Sequence, residues 1–107
     1  MKYNYVNHYD ENKTRLSFKG NKVNNKREED MTWYHYNGSV YMTANFKDDK
    51  LFGNVIRFEE DGKMIMNENY LNGKLEGKSE YYDTEGNLFY TCMYKNGRKV
   101  RNSTINY

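Results

Sequence analysis

The sequence predicts an all-β protein, built as a single-layer, twisted antiparallel meander of β-hairpin repeats of about 24 residues each. Three observations support this. Aromatic residues recur every 12 positions, small turn-forming residues follow each of them at alternating offsets, and the chain contains no proline. Strands of a continuous ladder avoid proline because it lacks the backbone N–H. The aromatic residues at this spacing are Tyr34, Phe46, Phe58, Tyr70, Tyr82 and Tyr94.

The turn residues define the ends of the predicted strands. Asn72-Gly73 and Asn96-Gly97 are typical of tight hairpin turns, because both residue types tolerate positive φ. Asp61-Gly62 and Glu85-Gly86 have the same role at the other end of the hairpins. The intervening segments have strand length and are too short for typical helices. These predicted strands are Lys50–Phe58, Lys63–Tyr70, Lys74–Tyr82 and Asn87–Tyr94.

Two glycines interrupt the alternation of the strands that follow the tight turns. Leu51 and Phe58 are seven positions apart, which strict alternation would place on opposite faces. Gly53 and its equivalent Gly77 are therefore interpreted either as β-bulges or as places where a neighbouring ring lies on bare backbone. The six spaced aromatics are expected to stack on their equivalents one repeat away, so that the core forms a ladder of rings.

The repeat is less regular toward the N-terminus. The segment FKGNKV (18–23) resembles FKDDKL (46–51) at a separation of 28 rather than 24 residues, so a longer loop is predicted at Asn24–Asp30. We expect one domain over residues 1–107. Within it, residues 1–33 are predicted to form diverged cap hairpins, residues 34–102 the regular repeats and residues 103–107 a tail.

Composition restricts the classes of protein that remain possible. The mean hydropathy is −1.20 and 17% of the residues are aromatic, which favours a thin core of rings over disorder. No apolar run is long enough to span a bilayer, and no apolar leader is visible at the N-terminus, so a cytoplasmic location is predicted. A chain whose leader had been removed would look the same. Cys92 is the single cysteine, which excludes an internal disulfide.

The charge is unevenly distributed. The net charge is +2, but residues 46–93 carry six basic and ten acidic residues, whereas residues 94–107 carry four basic residues and no acidic one. The basic end could meet phosphate or an anionic lipid surface. Alternatively, the basic residues protect an exposed edge strand from pairing with other strands, and we favour this second interpretation. Nucleic-acid binding is not expected. The basic residues of this end are Lys95, Arg98, Lys99 and Arg101.

No arrangement of residues predicts catalysis. His8 and His35 lack metal-ligand spacing with each other or with Cys92, so no metal site is expected. Cys92 is interpreted as a small buried residue rather than a nucleophile. The acidic runs fall at turns, where solvated charges are the ordinary outcome. The protein is therefore predicted to have no enzymatic activity, no catalytic residues and no cofactor.

The segment YLNGKLEGKSEYYDTEGNLFYTCMYKNG (70–97) resembles the bacterial variant of the MORN repeat. The resemblance covers residues 46–97 well and residues 18–45 loosely; Asp49 and Arg101 replace expected glycines. It implies a fold of stacked hairpins. Bacterial proteins of this type are often antitoxins or immunity proteins for secreted toxins, and other MORN proteins are scaffolds or have been proposed to touch membrane lipids. The resemblance supplies no catalytic residues.

More aromatic residues are present than such repeats require. Some should therefore be exposed, where they favour binding, or should fill the groove of a curved sheet. We predict a non-catalytic inhibitor that occludes a site on a protein partner, either a toxin or a defence enzyme; the alternative is a membrane-lipid-binding or scaffold module using the basic end. Open sheet edges leave a homo-oligomer conceivable. The predicted partner-binding residues are Trp33, Tyr36, Tyr41, Phe52, Glu59, Glu60, Tyr81 and Phe89.

Overall fold

The computed structural model describes the backbone of residues 3–9 and 16–107, and the side chains from residue 17 onward. The prediction for His8, and those for the cap side chains before residue 17, lie outside the side chains that the structure describes. Within the described residues the chain forms eleven β-strands and no helix. A membrane-spanning helix is accordingly not found among them.

The strands form one antiparallel sheet in meander order, which confirms the predicted fold class. The order across the sheet is β1-β2-β3-β4-β5-β6-β8-β9-β10, with β7 beside β6 and β11 beside β9. The molecule measures 45 × 33 × 16 Å, and its small thickness fits a single layer. The strands are β1 (Tyr3–Tyr9), β2 (Leu16–Val23), β3 (Lys26–Tyr34), β4 (Val40–Lys47), β5 (Lys50–Phe58), β6 (Met64–Leu71), β7 (Lys74–Leu75), β8 (Gly77–Tyr82), β9 (Leu88–Lys95), β10 (Arg98–Lys99) and β11 (Ile105–Asn106).

Tight two-residue turns join the strands at one end of the sheet. Both residues of each turn have positive φ, as type I′ hairpins require. A backbone hydrogen bond links successive turns, with the amide of Gly73 donating to the carbonyl of Leu51 and the amide of Gly97 donating to that of Leu75, both at 2.9 Å. These turns lie at 24–25, 48–49, 72–73 and 96–97.

Five-residue loops join the strands at the opposite end. In the loop at 59–63, the amide of Glu59 donates to the carbonyl of Lys63 at 2.8 Å, and the amide of Gly62 donates to the carbonyl of Glu59 at 2.9 Å. The same pair of hydrogen bonds closes the loops at 35–39 and 83–87. The predicted glycine turns are therefore present at both ends of the hairpins.

The prediction of a long loop at Asn24–Asp30 is wrong. Asn24 and Asn25 form a tight turn with φ of 51° and 67°, and the chain then continues directly as β3. Asparagine tolerates the left-handed conformation, so Asn25 can take the position that glycine has in the later Asn-Gly turns. The turn-to-turn spacing is thus 24 residues here as well, and the amide of Asp49 donates to the carbonyl of Arg27 at 3.0 Å, as in the later turns.

Gly53 and Gly77 lie at β-bulges, which confirms the first of the two interpretations of these glycines. Gly53 has φ of +80°, and the pairing of β4 with β5 shifts around it. A Cβ built on Gly53 would meet the side chain of Asn45 at 3.7 Å, so no ring covers this backbone. Glu29 occupies the equivalent position in β3 with φ of 60°, beside the register shift between β2 and β3.

The predicted ladder of stacked rings is wrong. None of the ring contacts among residues 17–107 joins two of the six aromatics at the 12-residue spacing; the pairs are instead Phe18–Trp33, Trp33–Phe46, Tyr81–Tyr90 and others. The reason is geometric. Equivalent residues 24 positions apart lie two strands apart, at about 9.5 Å, whereas ring pairs need centroid distances of about 4.5–7 Å. The residue on the intervening strand separates them.

The core lies on one face of the central strands. Met31, Ala44, Phe46 and Val55 are its buried members, with exposures of 2–6%. Gly20 on β2 makes room for this cluster, because a Cβ there would lie 2.2 Å from Cγ of Met31. Half-buried side chains surround the cluster and remain partly open to solvent: Phe18, Trp33, Met42, Leu51, Met66 and Tyr70.

Candidate functional site

A groove of about 480 Å³ crosses the core-bearing face over strands β3 to β6. This volume is within the range of about 300–1,000 Å³ of small-molecule and side-chain pockets. Most of its lining is aromatic or aliphatic, with charged groups at the floor and rim. We call it the groove, and its lining residues are Arg27, Trp33, Met42, Phe46, Asp49, Lys50, Leu51, Val55, Arg57, Met66, Glu68, Tyr70 and Gly73.

Strand alternation and register assemble the groove. Trp33 pairs with Met42, Met42 with Arg57, and Arg57 with Met66, so one side chain from each of four adjacent strands lies in a row. A second row, directly beside it, contains Ala44, which pairs with Val55. Because every second residue of a strand shares a face, residues distant in sequence converge on this surface.

Arg57 is the basic side chain at the floor of the groove. Its guanidinium lies 5.7 Å from the ring centroid of Tyr41, a cation–π contact. Its Nε is buried, and among the side chains of residues 17–107 it has no hydrogen-bond partner. No carboxylate within those residues forms an ion pair with it. A buried N–H of a charged group is ordinarily paired, so this donor is unsatisfied by the side chains of residues 17–107.

Glu68 is one of two acidic side chains that line the groove, and tyrosines hold it in place. It accepts hydrogen bonds from the hydroxyl of Tyr81 at 2.7 Å and from that of Tyr70 at 3.1 Å. Burial, reinforced by the Glu68 carboxylate, raises the pKa of Tyr70 to about 12. Burial and the hydrogen bond to Glu68 also raise the pKa of Tyr81. Both phenols are therefore neutral donors at physiological pH.

An ion pair closes the rim of the groove at the tight-turn end. The Nε of Arg27 donates to the Asp49 carboxylate, and this interaction lowers the pKa of Asp49. The same guanidinium lies 4.4 Å from the ring centroid of Phe46. Arg27 is thus satisfied within the protein, unlike Arg57.

The structure places three of the predicted binding residues in or next to the groove. Trp33 lines its wall, with ring centroids 6.4 Å from Phe18 and 6.3 Å from Phe46. Tyr41 contacts Arg57 as described, and its ring packs edge-on against His35 at 5.0 Å. Tyr81 donates to Glu68 and stacks on Tyr90 at 4.6 Å, extending the same face toward β9.

The other five predicted binding residues are not brought together with these. Tyr36, 77% exposed, lies in the loop at 35–39. Phe52 is 42% exposed beneath the ammonium of Lys47. Glu59 and Glu60 are exposed in the loop at 59–63. Phe89 is 56% exposed on β9, near the C-terminal edge. The eight predicted residues thus belong to several surfaces rather than one site.

Cys92 and His35 occupy structural positions. Cys92 is 1% exposed, which confirms its interpretation as a small buried residue. Nε2 of His35 lies 2.8 Å from the carbonyl oxygen of Phe58 and thereby ties two adjacent loops together. Among the residues that the structure describes, no three His, Cys, Asp or Glu side chains are grouped as metal ligands.

Sequence reasoning missed Arg57, the most distinctive residue of the groove. A signal was available, because Arg57 lies two positions after buried Val55 in an alternating strand and therefore points to the core-bearing face. A charged residue at an inward position of a strand is unusual and often has a role. Glu68 gives the same signal between Met66 and Tyr70.

No protein-family model matches the chain, and no curated protein or solved structure is significantly similar to it.

Proposed function

We propose that the protein is a non-catalytic binding protein that captures a protein partner in the groove and blocks a site on it. The single observation that carries this proposal is the groove itself. In the part of the chain that the structure describes, aromatic and aliphatic side chains remain half-exposed there around an arginine without an ion-pair partner, on a sheet face that no second layer covers. Exposed rings combined with arginine are the composition of binding hot spots.

The resemblance of residues 46–97 to bacterial MORN repeats supports a toxin or effector enzyme as the partner. A rigid sheet suits inhibition by occlusion, because little ordering entropy is lost when a preformed surface binds. The acidic middle of the chain, with ten acidic against six basic residues at 46–93, favours a basic target surface.

Neighbouring residues of β6 provide matched variants to test the proposal. Met66→Lys places a charge in the groove, and its unbranched stem can still cover the core. Asn67→Lys introduces the same charge on the opposite face. Tagged wild-type protein and both variants would be used to isolate partners from the native host, with mass spectrometry as the readout.

We expect one protein to be enriched with wild type and Asn67→Lys and to be lost with Met66→Lys. Its activity should fall when wild-type protein is added at equal molar amounts. Enrichment that does not depend on Met66, or a captured protein whose activity is unaffected, would contradict the proposal.

A separate observation favours the membrane alternative as a second candidate. Five large apolar side chains near the C-terminus are more than 40% exposed, next to four exposed basic residues. Apolar side chains flanked by basic ones bind anionic bilayers. Arg98 and Lys99 form edge strand β10, so protection of the sheet edge remains an alternative role for these charges. The five apolar residues are Phe89, Met93, Val100, Ile105 and Tyr107.

Vesicle sedimentation tests this second candidate. Phosphatidylcholine vesicles with and without phosphatidylserine would be mixed with wild type and with a Lys99→Gln, Arg101→Gln double variant. Binding only to anionic vesicles, weakened by the double variant and by salt, is the expected result. Equal sedimentation with and without phosphatidylserine would eliminate the candidate.

A further inference from the structure

We infer that the groove recognises a carboxylate attached to an apolar group, seated against Arg57. The inference rests on the proposed function and specifies the partner: a protein segment that presents an acidic side chain or a chain-terminal carboxylate next to a hydrophobic residue. The juxtaposition that carries it is a guanidinium that has no ion-pair partner among residues 17–107 and lies among half-exposed apolar side chains.

The first step concerns the charge of Arg57. Its Nε is buried and has no hydrogen-bond partner among residues 17–107, whereas Nε of Arg27, on the rim, is engaged by Asp49. A guanidinium presents its N–H donors in a planar fork that matches a carboxylate. Arg57 as a whole is half-buried and lines the groove, and because its Nε is buried, the two terminal nitrogens are the donors that a ligand seated there would meet.

The second step concerns the apolar part of the ligand. Met42 and Met66 flank Arg57 through direct cross-strand pairing, and Trp33 lies next to Met42 in the same row; all three are half-buried. Methionine sulfur makes favourable contacts with aromatic rings, and methionine adapts to irregular shapes. An aromatic or branched aliphatic group next to the carboxylate would cover these side chains.

The third step concerns the choice of anion. Glu68 and Asp49 also line the groove and would repel a dianion more strongly than a singly charged carboxylate. Glu68 is already engaged by two tyrosine hydroxyls, so it does not neutralise Arg57 through a contact of its own. A monoanion with an apolar neighbour therefore fits better than phosphate.

A matched pair of small probes tests the inference without knowledge of the partner. N-acetyl-phenylalanine carries the free carboxylate, and N-acetyl-phenylalaninamide has the same ring without the charge. Each would be titrated into isotope-labelled full-length protein and followed by amide chemical shifts; inorganic phosphate would be titrated separately.

We expect the acid to bind about tenfold more tightly than the amide, with the largest shifts in β5 and β6. Arg57→Gln should abolish the preference for the acid, and Arg57→Lys should reduce it because the planar fork is lost. Arg98→Gln, on the exposed strand β10 and outside the groove, should retain it. The amide spectrum of each variant establishes that it is folded.

Three results would overturn the inference: equal binding of acid and amide, no saturable binding of either, or an acid preference that survives in Arg57→Gln. Tighter binding of phosphate than of the acid would also overturn it, because the groove would then be a general anion site. If Arg57→Gln does not fold, the wild-type comparison of acid with amide still decides. The capture experiment with Met66→Lys does not depend on a preference for the acid. Equal binding of acid and amide would therefore refute the inference alone, whereas capture that does not depend on Met66 would refute the proposed function.

Discussion

Single residues with positive φ show how the same backbone conformation is achieved by different side chains. Glu29, Gly53 and Gly77 occupy equivalent bulges, with φ of 60°, 80° and 88°. Only glycine adopts this conformation without steric cost. Glu29 therefore holds its bulge against a local preference, with the surrounding pairing of β2 and β4 keeping it in place.

Substitution at these bulges should change stability in opposite directions. Glu29→Gly is expected to raise the free energy of unfolding by about 1 kcal/mol, because it removes the strain of positive φ at an exposed position. Gly53→Ala is the matched control and should lower it by a similar amount. Urea denaturation measures both. A destabilising Glu29→Gly would refute this account of the bulge.

The tyrosines around Glu68 make stability depend on pH at the alkaline end. The pKa of Tyr70 is raised from 10.0 to about 12 in the folded protein, mainly by burial. A raised pKa means that the folded state retains the proton longer than the unfolded state. The contribution of this group is therefore fully present below pH 10 and is lost as the pH rises toward 12.

Denaturation at a series of alkaline pH values should show this loss, and near-ultraviolet absorbance should show delayed ionisation of buried tyrosine. Glu68→Gln removes the carboxylate that repels the phenolates. It should lower the pKa of Tyr70 and Tyr81 partway toward the ordinary value, because burial remains. Unchanged tyrosine titration in Glu68→Gln would contradict the assigned cause.

At the scale of elements, the C-terminal segment covers the outer edge of β9. β10 and β11 both pair with β9, and the amide of Tyr107 donates to the carbonyl of Phe89 at 2.9 Å. Ser103 bridges the gap between the two short strands. Its Oγ accepts from the amide of Met93 at 3.0 Å and donates to the carbonyl of Val100 at 2.6 Å. An edge covered in this way is less available for pairing with other chains.

Removal of the Ser103 hydroxyl should loosen this edge. Ser103→Ala is expected to cost about 1 kcal/mol and to speed hydrogen exchange at the amide of Met93. Thr104→Ala, at the neighbouring exposed residue, serves as the control and should change neither. Unaltered exchange at Met93 in Ser103→Ala would show that the hydroxyl does not protect the edge.

At the scale of the whole molecule, the cluster of buried apolar side chains lies at the centre of the sheet. Its buried members all lie on β3, β4 and β5, whereas strands β10 and β11 are exposed throughout. A single layer has no second sheet to bury its other face, so stability is concentrated where neighbouring strands are longest and best paired.

Identical substitutions at the centre and at the edge should therefore differ in effect. Val55 is 4% exposed and Val100 is 41% exposed. Val55→Ala is expected to cost about 2 kcal/mol, and Val100→Ala about 0.5 kcal/mol or less. Thermal denaturation would measure both, and similar costs would show that the core is not localised in the central strands.

The groove could be predicted only in part. The sequence identifies Trp33 and Tyr81 as aromatic residues beyond those that the repeats require. It does not show which of these additional rings share a surface. Phe52 and Phe89 have the same residue type and the same kind of strand environment as groove residues, yet both are exposed away from it. Arg57 and Glu68 could be detected in the sequence as charged residues at inward positions. The sequence did not show that Glu68 is hydrogen-bonded by two tyrosines whereas Nε of Arg57 has no partner among residues 17–107.

The sequence by itself determined the all-β class and the glycine turns, because positive φ and strand alternation are local properties of the residues concerned. It left two interpretations of Gly53 and Gly77, and the structure decided for the bulges. Tertiary structure decided how the strands pair. Strand pairing placed equivalent rings two strands apart, so they do not stack. It also made Asn24-Asn25 a tight turn, 24 residues before the next one. It also assembled four strands around an arginine that has no carboxylate partner within residues 17–107. Cross-strand neighbours are set by register over long sequence separations, and no local pattern specifies them.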